Sequence, residues 1–410
     1  MKLLACLAVT AALAAVARTQ PPDANVNSRY TVENVRVDPE RKLSRTLRED
    51  LHKLVGEKFN QATLDALRER LKQETGARVI AQRVVRGDKA ETVRVVFELR
   101  YGKRGVDVNI PKMVYASRLG WSGAVELEAH WAGNTLGFGA ANDGDALVER
   151  FAGIRGYYER KELWGRKIGF RFDAEDWNDQ WNQTTLAALG TTTGPYRSRT
   201  NFQPVLTARL WGPLTWSGGF SFQRLETPYE AAPVQGAHAV VQILRLRQQW
   251  SESGLKQTVE AGYSLRAATR LLESDSVYAR HQFDASYRIQ DGPHEIIVRA
   301  VGGAIGGNAP LYERFVAGTT TVLRGYSKFD LTPEGATRLA AGTIEYRNHG
   351  IGVFYDTGTA WGATRDDGGA ARLRHSLGCG YTTRKGLMVA VAFPMRGDNM
   401  FPMFYAGINF

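Results

Sequence analysis

The stretch "TVEAGYSLR", residues 258–266, places Val259, Ala261, Tyr263 and Leu265 on one face of an extended chain and Thr258, Glu260, Gly262, Ser264 and Arg266 on the other. The same alternation recurs in "KIGFRFDAE", residues 167–175, where Ile168, Phe170, Phe172 and Ala174 oppose Gly169, Arg171, Asp173 and Glu175. It recurs again in "HQFDASYRI", residues 281–289, where Phe283, Ala285, Tyr287 and Ile289 oppose Gln282, Asp284, Ser286 and Arg288. A face carrying Arg, Asp and Glu is costly to bury in a two-sheet core. Lipid on the outside and a wet lumen on the inside satisfy both faces at once.

The connections fit that reading. Every second one is short, at Ala132, Glu162, Trp211, Ser251, Asp291, Asn348 and Arg384, and the intervening ones are mostly longer, notably residues 176–197, 226–237, 308–337 and 362–371. Short turns at one rim and long loops at the other are the pattern of a transmembrane β-barrel. With residues 106–115 as the first strand, seven short turns pair up about sixteen strands. Pro111 removes one ladder donor from that first strand. The sequence closes on "MFYAGINF", where Phe404, Ala406, Ile408 and Phe410 share one face, so Phe404, Ile408 and Phe410 form an aromatic and apolar C-terminal strand signal.

The first residues read "MKLLACLAVTAALAAVARTQ": one Lys, an apolar run, then Ala15-Val16-Ala17, a small-x-small cleavage pattern. A signal peptide is expected over residues 1–17, followed by a linker over 18–27, so the mature chain leaves the cytoplasm. Cys6 departs with the leader and Cys379 is then alone, which leaves no intramolecular disulfide. No later segment approaches eighteen consecutive apolar residues, which excludes a helical membrane protein. The 43 glycines, 10% aromatics and mean hydropathy of −0.32 suit an alternating barrel.

The formal charge of +11 is concentrated in residues 25–105, which hold nineteen Lys and Arg against twelve Asp and Glu. That region reads as its own small domain. "SRYTVENVRVD" alternates as a strand with a slip near Asn34, and Ser44 opens a helix with Leu47, Leu51, Leu54 and Val55 on its stripe and Gly56 as its stop. A second helix sets Leu64, Leu67 and Leu71 in line and ends at Gly76, and two strands joined by Gly87-Asp88 follow. The basic excess reads as a solvated surface or as attraction to anionic headgroups or an acidic partner, and an exported domain without interleaved aromatics points away from nucleic acid.

Between two strongly alternating segments lies a run of about thirty residues without strand or helix period, a length that marks functional loops. At its centre stands "TVLRGYSKFD", residues 321–330. A β-α-α-β-β domain, then a sixteen-stranded barrel with Leu-Arg-Gly-Tyr in its third-last long loop, resembles the outer-membrane assembly and two-partner-secretion superfamily, also called the bacterial surface antigen family. The resemblance implies a single POTRA (polypeptide-transport-associated) domain over residues 28–105 and an outer-membrane β-barrel over 106–410, with a lumen loop over 307–337. It further implies that Leu323, Arg324, Gly325 and Tyr326 form a loop tip resting on the inner wall, with Glu345 of "GTIEYR" and Phe354, Asp356 and Gly358 of "FYDTG" as the wall partners. Alternation independently puts Glu345 on the lumen face and groups Asp356 with Gly352 and Gly358, glycines that leave space beside the carboxylate. A guanidinium inside a barrel needs acceptors, and two carboxylates supply them.

The fold class expected is thus a small α+β POTRA domain followed by a transmembrane antiparallel barrel. The function implied is insertion or export of client polypeptides, captured as extended strands on the POTRA edge; the alternative is a non-transporting plugged pore or a platform for periplasmic partners. Members that insert barrels or export large substrates usually carry several POTRA domains, and here there is room for one. The sequence shows no H-E-x-x-H, no G-x-S-x-G and no Cys/His cluster, so neither an enzyme, a metal site nor a cofactor is expected. The location implied is the bacterial outer membrane, with the POTRA domain in the periplasm and membrane lipid around the barrel.

Overall fold

Sixteen strands of six to fifteen residues close into one antiparallel barrel, each hydrogen-bonded to its neighbour in sequence and the last, Met403–Ile408, to the first, Gly105–Ala116. A two-residue strand, Gln235–Gly236, adds to the barrel strand Leu214–Glu226. The computed structural model describes residues 29–38, 43–75, 77, 79–100, 105–142, 149–163, 168–228, 234–252, 254–362, 372–383, 386–395 and 401–408. The expected leader and linker, Gly76 and Phe410 lie outside the described residues.

Alternation is what makes these segments strands, and burial follows it with reversed sign. Phe138, Ile154, Ile344, Val353 and Phe404 point outward and are each at least half exposed, whereas Glu126, Glu345 and Asp356 point inward and are 3%, 3% and 0% exposed. The turns obey local chemistry. His349 and Gly350 both take positive φ, 50° and 87°, between the strands Arg338–Asn348 and Ile351–Trp361. That combination is a hairpin turn whose twist matches its strands.

The structure differs from the sequence expectation in detail. The strand Ile168–Gln180 runs past Asp176, and the following connection contains a short helix, Gln183–Leu189, opened by the Asn182 side chain and closed by Gly190 in the left-handed conformation. The expected loop over residues 176–197 is therefore shorter and partly helical. Pro111 does not end the first strand; the register with Gly120–Trp131 slips between Asn109 and Lys112, so the missing donor is absorbed in a bulge.

The chain divides into two compact units, and the first of them in sequence is described within residues 29–100. Its sheet runs in the order Thr31–Asp38, Thr92–Arg100, Val79–Arg86, the first pair parallel and the second antiparallel. The slip near Asn34 is a register shift between Val32 and Asn34. The helices Arg45–Lys53 and Gln61–Thr75 bury Leu47, Leu51, Leu64, Leu67 and Leu71 against Val95 and Phe97. Ser44 caps the first helix by accepting from the Leu47 N–H, and its hydroxyl donates to Glu74 at the end of the second, 2.7 Å away. Val55 does not join the stripe: the helix stops at Lys53, and Val55 stands 43% exposed in the turn before Gly56.

A sheet closed on itself has no edge from which to melt. The folded chain is expected to resist dodecyl sulfate at room temperature and to migrate differently on a gel before and after boiling. Identical mobility in the two samples would contradict a closed barrel.

Candidate functional site

The connection between the strands His294–Gly307 and Arg338–Asn348 is built to fold back on the inner wall. Its two limbs are tied to each other where Phe315 and Ala336 exchange backbone hydrogen bonds of 2.9 and 2.8 Å. Beyond that tie Gly318 turns the chain with φ +84°, and a tight turn closed by hydrogen bonds from the Gly318 and Thr319 N–H groups to the Val322 carbonyl leads into the tip.

At the tip Leu323 takes φ +58°, a left-handed conformation that a branched apolar side chain rarely adopts. Packing holds it there: Leu323 is 1% exposed in an apolar cluster with Ala317, Tyr326 and Leu339. The reversal aims Arg324 at the wall. Its Nε donates to Asp356 Oδ2 and its Nη2 to Oδ1, each at 2.8 Å, while its backbone N–H donates to Oδ2 at 3.0 Å. Nη1 reaches Glu345 Oε2 at 3.4 Å, and the guanidinium carbon lies 3.5 Å from the centre of the Phe354 ring. One planar cation thus meets a bidentate carboxylate, a second carboxylate and an aromatic face.

Gly325 follows with φ +94°, and a Cβ there would stand 3.3 Å from the Cβ atoms of both Ala392 and Ser376. Its N–H donates to the Tyr405 hydroxyl at 2.7 Å. Tyr326 donates its hydroxyl to the His375 carbonyl at 2.9 Å. The structure therefore brings Leu323, Arg324, Gly325 and Tyr326 together with Glu345, Phe354 and Asp356.

The expectation that Gly352 and Gly358 make room for Arg324 does not hold. A Cβ at Gly358 would meet Ala341 on the neighbouring strand at 2.7 Å, and one at Gly352 would meet the Arg347 side chain at 3.0 Å. Room beside the tip comes instead from Ser376 and Ala392. A third glycine, Gly378, admits the Phe354 ring on which Arg324 stacks, since a Cβ there would be 2.2 Å from that ring. Of the C-terminal strand residues, Phe404 and Ile408 do not take part in the seat.

Sequence reading missed three contributors. Tyr405 stands on the lumen side of "MFYAGINF", the face not singled out for that strand, and an aromatic there was the available signal. Arg347 donates to Glu345 and also reaches Glu295 at 3.4 Å, which in turn lies 3.4 Å from Arg288. The wall carboxylates are thereby set in a chain of alternating charge. Ser376, 0% exposed, matters for its small size.

Residues 245–396 match the Omp85 superfamily domain. The matched stretch contains the whole lumen loop, Glu345 and Asp356, and the superfamily expected from the order of the motifs is borne out there. No curated protein matches the sequence. The fold is similar to that of BamA from Haemophilus ducreyi lacking POTRA domains 1–3, with 13% identity and a TM-score of 0.59 over 93% of this chain and 84% of that one. It is similar to CdiB from Acinetobacter baumannii, with 12% identity and a TM-score of 0.54 over 93% and 74% of the two chains. CdiB from Escherichia coli matches at 9% identity and a TM-score of 0.54 over 96% and 93%. At these identities the likeness is one of fold. Among the described residues no group of His, Cys, Asp and Glu is placed to hold a metal ion.

Removing one member of a buried charge pair strands the other, at a cost of about 3–5 kcal/mol when burial is complete and less in a wet lumen. Arg324→Ala and Asp356→Ala are each expected to expose the tip, residues 319–327, to added protease while the barrel keeps its gel shift. The double variant is expected to be little worse than either, because both remove the same contact. Additive effects, or a tip equally protected without Arg324, would show that this contact does not seat it.

Proposed function

We propose that the chain is an outer-membrane barrel that inserts or exports client polypeptides, with residues 29–100 acting as a single POTRA-like domain in the periplasm. The observation that carries this reading is the short closure of the barrel. The first and last strands share four residue pairs among the described residues, from Tyr405–Ala116 to Ile408–Met113, whereas Tyr278–Asp291 and His294–Gly307 share fourteen. At a net 0.5–1.5 kcal/mol per hydrogen bond, parting so short a ladder costs roughly 2–6 kcal/mol in water. In hydrocarbon the cost rises, because unpaired backbone groups find no water. A client strand that pairs with the freed edges restores what opening loses, which makes the seam the natural place for β-augmentation.

The outward apolar belt and the polar lumen support a lipid setting, since that polarity is reversed relative to a water-soluble protein. A barrel that leaves no backbone donor unpaired is one of the two solutions for crossing a bilayer. The similarity to BamA and CdiB supports transport of polypeptide. It extends over 93–96% of this chain and so beyond the barrel unit, to the small α+β unit. In that unit the strands Thr31–Asp38 and Val79–Arg86 stand at the edges of the sheet, and either offers a place for an extended segment. The seated loop favours a second reading, a plugged pore that transports nothing.

One experiment separates the two. Tyr115 and Ala406 face each other across the seam, and cysteines at these positions in a Cys379→Ser background are expected to form a crosslink. Under the opening mechanism the oxidised protein loses the outer-membrane or secreted proteins that depend on it and regains them on reduction. Full activity in the crosslinked state excludes lateral opening, and no dependent protein in either state favours the plugged pore.

A further inference from the structure

The strongest cluster of buried charge outside the Arg324 seat lies at the other end of the same loop. Glu313, in the short turn Leu311–Glu313, is 6% exposed and has no apolar reason to be there. Its Oε1 accepts from Arg266 Nη1 at 2.7 Å and from the Tyr278 hydroxyl at 3.2 Å, and its Oε2 lies 3.6 Å from Arg280 Nε. Arg280 also donates to the Glu313 carbonyl at 2.8 Å. Arg266 is itself held by Gln203 Oε1 at 2.7 Å, on the strand Ser198–Trp211.

Neighbouring residues complete the seat. Phe315 lies under the Arg280 guanidinium, 4.5 Å from carbon to ring centre, and packs on Gly303, where a Cβ would be 2.2 Å from the ring. Tyr312 receives the Arg199 guanidinium at 4.4 Å. The wall strands used here, Leu255–Ala268 and Tyr278–Asp291, precede the loop in the barrel order, whereas Asp356, Ser376, Ala392 and Tyr405 lie on strands that follow it.

We propose that Glu313 is a second anchor of the lumen loop, of polarity opposite to the first and engaged on the opposite side of the loop's own strands. At the tip the loop supplies the cation and the wall the carboxylates; at Glu313 the loop supplies the carboxylate and the wall the cations. The reversed polarity forbids exchange of the two seats, because either end misplaced would meet like charge. The loop is held on both flanks, and loss of the Arg324 contacts frees the tip while the limb from Ala309 to Gly318 stays in the lumen. Displacing the whole plug requires both anchors to part. This does not depend on what the barrel transports.

The test uses the full chain in phosphatidylcholine vesicles, with influx of a small neutral sugar and mapping of proteinase K cleavage as readouts. Retention of the unboiled gel shift selects the variants that have folded. Glu313→Gln is expected to open cleavage at residues 309–318 and leave the tip protected; Arg324→Ala is expected to do the reverse. Each single variant leaves sugar influx near the parent rate, and the double variant raises it on the order of tenfold, since two independent restraints have then been removed. Glu313→Asp restores protection of the limb in part. Should Glu313→Gln fail to fold, Arg266→Gln with Arg280→Gln tests the same contact from the wall. The proposal is overturned if Arg324→Ala alone exposes residues 309–318, or if the double variant is no more open than Arg324→Ala.

Discussion

Closure of the sheet on itself is the constraint from which the rest of this molecule follows. Once the last strand pairs with the first, every strand has two neighbours and the alternation along each acquires a fixed meaning: one side faces out, the other faces the lumen. Sixteen strands enclose more space than their own side chains fill. The lumen must hold water or something supplied by the chain, and a thirty-residue connection supplies it. A plug of that kind cannot rely on apolar packing alone, because the wall it meets is the polar face of the strands. Apolar packing of Phe315, Leu323 and Tyr326 on Ala268, Ile305 and Leu339 is accordingly joined by ionic contacts, with Arg324 against Asp356 and Glu345 on one flank and Glu313 against Arg266 and Arg280 on the other.

Sequence carried the barrel because the period-two signal is repeated sixteen times and the turns are local. "KIGFRFDAE" and "TVEAGYSLR" each state which side chains point inward without reference to any distant residue. The Arg324 seat was legible for a different reason: Leu-Arg-Gly-Tyr, Glu345 and the Phe-Tyr-Asp-Thr-Gly run occur in a fixed order on consecutive elements. What stayed hidden was whatever depends on curvature. Tyr405 meets Gly325 across eighty positions of sequence, and only ring closure brings the last strand beside the strands that receive the tip. Arg266 reads from sequence as an ordinary lumen residue, since alternation says that a side chain points inward but not which part of the loop it will face.

The glycines give a sharper case. Alternation puts Gly352 and Gly358 on the lumen face, where they are buried, but the space beside them does not receive Arg324. The space they make is used by Arg347 and by Ala341, neighbours within the sheet, because side chains of adjacent strands stand close enough to compete for the same volume. The loop takes room left by Ser376 and Ala392. Distance along a strand is readable from sequence, whereas the choice between a lateral and a vertical occupant depends on the three-dimensional sheet.

Charge is an uneconomical way to fix a segment if stability alone matters, because a buried ion pair is often no more stabilising than an apolar contact of the same volume. Hydration and geometry offer a physical reason for it here. If the loop withdrew, Asp356, Glu345, Arg266 and Arg280 would be left in a lumen open to water, which solvates separated charges well and apolar surface badly. An apolar plug leaving an apolar wall would lose its burial on both surfaces with nothing in return. At the two ionic seats, hydration of the parted groups offsets part of the lost attraction, whereas the burial of Phe315, Leu323 and Tyr326 has no such compensation, and the geometry of the seated state is sharply defined by the bidentate contact of Arg324 with Asp356. The ionic side chains thus supply the specificity of seating, and the apolar ones between them supply burial that only the seated position offers.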